Sequence, residues 1–181
     1  SVTFFDNLLI TSTDPQPGIV IEDENKKSVS IPIIKQTDAQ WAEEEYDHAT
    51  EWSEKNPTIK RWGCALSSMT MILKYYGINI FPDGQIITPL SLNHWLNNQP
   101  DGYIGDGLLN WLAITRLTKE ISNVIGTPKL EFSRKIGESL QPTIEQIDLL
   151  QPTILNIFGH FLVGNGYHKN NEDLVISDPA Y

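Results

Sequence analysis

Residues 62–77 read WGCALSSMTMILKYYG, and their spacing organises the reading of the whole chain. Ala65, Met69, Ile72, Leu73 and Tyr76 recur at i, i+4, i+7, i+8 and i+11, which puts them on one face of a helix. Gly77 supplies the stop, since glycine enters the left-handed conformation at a helix end without steric penalty. The helix therefore begins at Cys64, the only cysteine in the chain. At a helix start, unpaired N–H groups and the positive end of the dipole favour a thiolate. Gly63, just before it, allows the close backbone approach that a substrate cleft needs.

Downstream, Thr88 and Pro89 read as the N-cap and first position of a second helix carrying Leu92, Trp95 and Leu96. The run DGYIGDG at 101–107 reads as a tight turn, because its spacing does not fit an EF-hand loop. It precedes a third helix expected to carry Leu108, Leu109, Trp111, Leu112 and Ile114. The period then changes. A strand near 129–132 and a short helix over 143–150 lead into strands TILNIF (153–158), HFLVGNGY (160–167) and DLVISD (173–178). The GNG within them lacks the third glycine and following helix of a dinucleotide fingerprint. Upstream, 18–21 and 29–34 flank the polar EDENKK as a hairpin. Residues 38–55 carry seven Asp or Glu with Trp41 and Trp52. They read as a solvated loop or short helix, with an acidic rim selecting basic substrates as the alternative. Helices first and a sheet afterwards means α+β, not alternating β-α units.

The 181 residues include 13 basic and 23 acidic side chains, a net charge of −10. Such a charge argues against gripping nucleic acid or anionic lipid through a basic face. No run approaches the ~18 apolar residues of a membrane span. A lone cysteine excludes an internal disulfide and a thiolate zinc cluster.

A nucleophilic thiol needs a base, and the base needs a group to orient it. The chain offers His48, His94, His160 and His168. His48 lies in the acidic segment, His94 on a short helix and His168 at a turn, all positions that suit solvated side chains. His160 follows Gly159 at the start of an apolar strand, where an imidazole can project toward a helix N-terminus. Asp178 closes the next strand, so a two-stranded hairpin returns it to the same end of the sheet as His160. Of the five tryptophans, Trp62, two residues before Cys64, is expected to line the cleft.

At these positions the chain resembles the C39-like cysteine peptidases of the papain-like superfamily. IPIIKQTDAQW (31–41), WGCALSSMTMILKYYG, GHFLVGNGY (159–167) and ISDPA (176–180) carry the resemblance, with TPLSLNHWL (88–96) and GYIGDGLLNW (102–111) matching the middle region. Ser67, Ser68 and Met71 stand where the family has hydroxyl residues and a methionine behind its Gly-Cys. The resemblance implies a papain-like α+β fold, with the nucleophile helix packed on a C-terminal antiparallel sheet. It implies Cys64 as nucleophile, His160 as general base and then acid, Asp178 as the residue orienting His160, and Gln36 as oxyanion donor beside the Cys64 N–H. Transporter-linked members that trim double-glycine leaders keep Gln a few residues before Cys. Here Gln36 lies 28 residues before it, so leader trimming is not implied and Gln40 competes for the role.

The expectation is one domain over 1–181, with 1–30 an N-terminal hairpin and extension and 31–181 the catalytic region. It hydrolyses peptide bonds in a peptide or protein substrate, with no metal or organic cofactor. The alternatives are another Cys-His-Asp acyl-transfer enzyme, a transglutaminase or amidase, or a non-catalytic peptide-binding module. Opening on Ser1 with no apolar leader, the chain is expected to be a mature form or part of a longer protein. Its compartment stays open, a secreted or cell-surface bacterial setting being the preferred one.

Overall fold

The computed structural model describes residues 5–13, 18–137, 139–170 and 173–181. Along them run β1 (Phe5–Ser12), β2 (Val20–Glu22), β3 (Lys26–Val29), α1 (Ala49–Trp52), α2 (Ile59–Trp62), α3 (Cys64–Tyr75), α4 (Pro89–Asn97), β4 (Tyr103–Ile104), β5 (Leu108–Leu109), α5 (Trp111–Ile125), β6 (Leu130–Gly137), α6 (Gln141–Asp148), β7 (Thr153–Ile157), β8 (His160–His168) and β9 (Leu174–Ser177). The result is a mixed α+β structure in which the strand pairs are antiparallel. No helix among the described residues is long and apolar enough to cross a membrane.

The main sheet is built on β8. Gly164 pairs with Thr153 of β7 and with Ile176 of β9, so those two strands lie on opposite edges of β8. Tyr167 pairs with Lys27 of β3 and Leu174 of β9, which sets β3 beyond the end of β7 on the same edge. Asn165 forms a bulge in β8. Its amide donates to the Val29 carbonyl at 2.9 Å and its carbonyl accepts from Ser177 Oγ at 3.2 Å, tying β3 and β9 to β8.

Residues 5–12, left within an N-terminal extension by the sequence reading, form β1 between β7 and β6 and bury Leu8, Leu9 and Ile10. Their partners lie over a hundred positions away, where no local pattern can point. The N-terminal hairpin is present as β2–β3 but ends at Val29, short of the expected 34. Pro32 follows, with no N–H to give to a ladder.

The expected helix from Cys64 is α3, but it is enclosed on more than one side. Leu66, Met69, Met71, Ile72 and Leu73 have no exposed surface, and Ser67, Ser68 and Thr70 are equally buried. A helix apolar nearly all round belongs inside a core, and α3 lies against both β8 and α4. Two of its buried hydroxyls are paired: Ser68 Oγ donates to the Phe161 carbonyl of β8 at 3.2 Å, and Thr70 Oγ1 to that of Leu66, one turn back, at 2.9 Å.

α4 starts as the sequence reading expects, with Pro89 in its first turn. Thr88 Oγ1 accepts from the Ser91 N–H at 3.1 Å, and the Thr88 N–H donates to Ser91 Oγ at 2.9 Å. The third helix does not begin at Leu108. Leu108 and Leu109 pair with Ile104 and Tyr103 as the β4–β5 hairpin, and α5 begins at Trp111, capped by Asn110 accepting from the Leu112 N–H at 3.1 Å. Two adjacent leucines fit either period, so the turn and the cap decide.

Candidate active site

A cleft of about 790 Å³ is lined by residues from widely separated segments, among them Gln36, Trp62, Cys64, Gly107 and His160. Cys64 is the first residue of α3, and α2 ends two positions earlier. A Cβ on Gly63 would lie 2.5 Å from the Ile59 carbonyl oxygen, so the close approach at Gly63 is to α2 rather than to a ligand. The half-buried thiol faces the carbonyl of Trp62 at 4.0 Å. Burial pushes the thiol above its ordinary pKa. The backbone N–H groups of Phe161, Ala65 and Cys64 itself oppose that, and the charge of Asp178 adds to it. Desolvation thus opposes the ionised form that the helix terminus favours.

The Phe161 N–H that faces the sulfur belongs to the residue after His160, so the beginning of β8, where His160 stands, lies against the start of α3. β9 runs antiparallel to β8, and its end returns Asp178 to the beginning of β8. His160 Nε2 lies 2.8 Å from Asp178 Oδ1, which also accepts from the Ala180 N–H at 2.8 Å. A carboxylate there accepts a proton held on Nε2 and leaves the lone pair of Nδ1 for another partner.

Gln36 is buried along the same cleft. Its N–H donates to the Pro179 carbonyl at 2.8 Å, tying it to the segment that carries Asp178. Its Nε2 donates one hydrogen to the Lys60 carbonyl at 2.7 Å and keeps a second. Gln40 is exposed and lies off the cleft, its N–H on Asp38 Oδ1 at 2.9 Å. His48, His94 and His168 are exposed and also lie off it. Trp62 lines the cleft as expected, its ring edge-on to Trp52 at 5.3 Å with the Arg61 guanidinium 4.5 Å from its centroid.

The acidic stretch is more than a solvated loop. Glu43, Glu44, Glu45, Glu51 and Glu54 are exposed, but Tyr46 and Asp47 between them are buried. Tyr46 Oη donates to the Gly107 carbonyl at 2.7 Å, and the Gly107 N–H donates to Asp47 Oδ2 at 3.2 Å. Both polar groups of one cleft-wall residue are thus held by adjacent side chains. Gly107 has φ +74, and a Cβ there would sit 2.9 Å from the Trp52 ring. Burial raises the Asp47 carboxyl and raises the Tyr46 hydroxyl much further, keeping the latter a neutral donor. Sequence reasoning missed this wall; the only local signal was a Tyr-Asp pair interrupting a run of glutamates.

A cysteine, a carboxylate-bound imidazole and a primary amide around one cleft are the parts of nucleophilic acyl transfer. The model of the Peptidase_C39 like family matches residues 29–181. The chain belongs to this family. The match begins at the last residue of β3 and takes in Gln36, Cys64, His160 and Asp178, while β1 and β2 lie outside it. Comparison with curated proteins and with solved structures returned no match. Among the described residues, no group of three or more His, Cys, Asp or Glu side chains is placed to hold a metal ion.

Proposed function

We propose that this chain is a cysteine peptidase of papain-like arrangement, with Cys64 as nucleophile, His160 as base and acid, Asp178 as orienting carboxylate and Gln36 as oxyanion donor. The observation that carries the reading is the meeting of Gln36, Cys64 and His160 along one cleft, with Asp178 2.8 Å from His160 Nε2. The half-buried thiol gives its proton to His160 Nδ1 as the sulfur attacks the peptide carbonyl carbon. The resulting oxyanion takes the Cys64 N–H and the free amide hydrogen of Gln36. Imidazolium then protonates the leaving amine, and the C–N bond breaks to leave a thioester on Cys64. A water, deprotonated by the same imidazole, attacks the thioester and releases the acid with the thiol restored.

A peptide library analysed by mass spectrometry tests this. Wild type should release cleaved peptides, Cys64→Ala and His160→Ala should release none, and Asp178→Ala should retain more activity than either. The melting temperature of Cys64→Ala should stay near wild type, since a half-buried thiol at a helix start contributes little packing. Products extended by an amine acceptor would move the assignment to transamidation. Equal activity in Cys64→Ala and wild type would remove the thiol from the reaction.

A further inference from the structure

The connection between β7 and β8 is a two-residue turn, Phe158-Gly159, with Ile157 paired to His160 across it. Phe158 has φ +52 and Gly159 φ +83, both in the left-handed region that such a turn requires. Asn, Asp and Gly accept that conformation readily, whereas a bulky aromatic does so at a cost in strain. Phe158 is also 95% exposed, and no aromatic pairing among the described residues holds its ring. The fold gains nothing visible from this side chain, yet it stands two residues before His160 and lines the cleft.

A second apolar rim lies on the same cleft. Ile104 and Leu108 are directly opposed in the β4–β5 hairpin, so their side chains stand together, and they are 56% and 62% exposed. The cations that line the cleft are already engaged. Arg134 pairs with Asp6 at 2.8 Å, Lys60 with Glu43 at 3.5 Å, and Arg61 lies over Trp62. Asp106, next to Gly107 on the cleft, has no ion-pair partner among the described residues.

Resting on the peptidase reading, we infer that Phe158, Ile104 and Leu108 form a specificity-determining apolar clamp that takes a large apolar side chain of an extended peptide substrate. Binding covers the three exposed side chains, which the free protein leaves in water. Asp106 repels an acidic side chain in the same place, so apolar over acidic is the direction of selection.

The test uses Cys64→Ala protein and extended peptides differing at one position, Phe or Leu against Ala and Asp, with binding read by calorimetry. Apolar peptides should bind at least about tenfold more tightly than acidic ones. Adding Phe158→Asn should remove most of that preference while holding or raising the melting temperature, because Asn suits the turn. Ile104→Ser with Leu108→Ser should weaken the preference in the same direction. Equal binding of apolar and acidic peptides, or a preference untouched by Phe158→Asn, overturns the inference. Hydrolysis is scored separately in the wild type. Selective binding without turnover defeats the peptidase reading alone, and turnover without apolar preference defeats the clamp alone.

Discussion

Gly107 offers a stringent test of how the cleft is built, because Gly105 in the same hairpin is a matched control. Both glycines have positive φ, +74 and +57, so replacing either with Ala forces a side chain into the left-handed region at about 1–2 kcal/mol. At Gly105 a Cβ meets nothing within 4 Å, and that conformational cost is the whole effect. At Gly107 the same Cβ lies 2.9 Å from two atoms of the Trp52 ring and 3.0 Å from the Tyr46 ring. Neither ring is free to withdraw. Trp52 is edge-on to Trp62, and Tyr46 is buried with its hydroxyl on the Gly107 carbonyl. Overpacking of this kind costs about 1–3 kcal/mol, and weakening the Tyr46 hydrogen bond adds about 1 kcal/mol. Gly107→Ala should therefore be about 2 kcal/mol or more less stable than Gly105→Ala. Urea unfolding at constant m reads the difference directly. Peptide hydrolysis should fall with Gly107→Ala, whose displaced rings narrow the cleft beside Cys64, and stay near wild type with Gly105→Ala. Two variants equal within about 0.5 kcal/mol and equally active would refute the idea that Tyr46 and Trp52 buttress the cleft wall.

Native Cys64 should alkylate with iodoacetamide more slowly than the urea-denatured chain at each pH below its raised pKa, because burial lets the folded thiol keep its proton to higher pH. At the ordinary value of 9.0 about 0.1% is thiolate at pH 6, and the native fraction should be smaller still. A rate plateau below pH 7 would show that the helix terminus and His160 prevail over desolvation. Gln36→Ala should lower kcat by about 10²–10³ if its free amide hydrogen meets the oxyanion, with Gln40→Ala near wild type; the reverse pattern moves the role to Gln40.

Local chemistry was readable from the residues alone. The α3 start at Cys64, the Thr88 cap before Pro89 and the turn in 101–107 each depend on neighbours a few positions apart. His160 and Asp178 were also within reach of sequence reasoning, since an antiparallel hairpin must bring its two ends together. Periodicity alone misjudged Leu108 and Leu109, whose strand pairing depends on the turn before them. The family resemblance supplied Gln36, and the structure supplied its anchors on Pro179 and Lys60.

What the sequence by itself determined is the start of α3 and of α4, the strands that carry His160 and lead to Asp178, and which residue types carry the chemistry, because those follow from short-range periodicity, capping and turn residues. Only the tertiary structure decided where the segments meet. β1 finds its place between β7 and β6, Tyr46 and Asp47 turn inward to hold Gly107, and β8 sets the Phe161 N–H against the sulfur at the head of α3. The thiol shows the physical reason. The helix N-terminus that favours its ionised form is a local feature, whereas the Phe161 N–H and the Asp178 charge that act on it come from strands about a hundred positions away, and only folding sets them there.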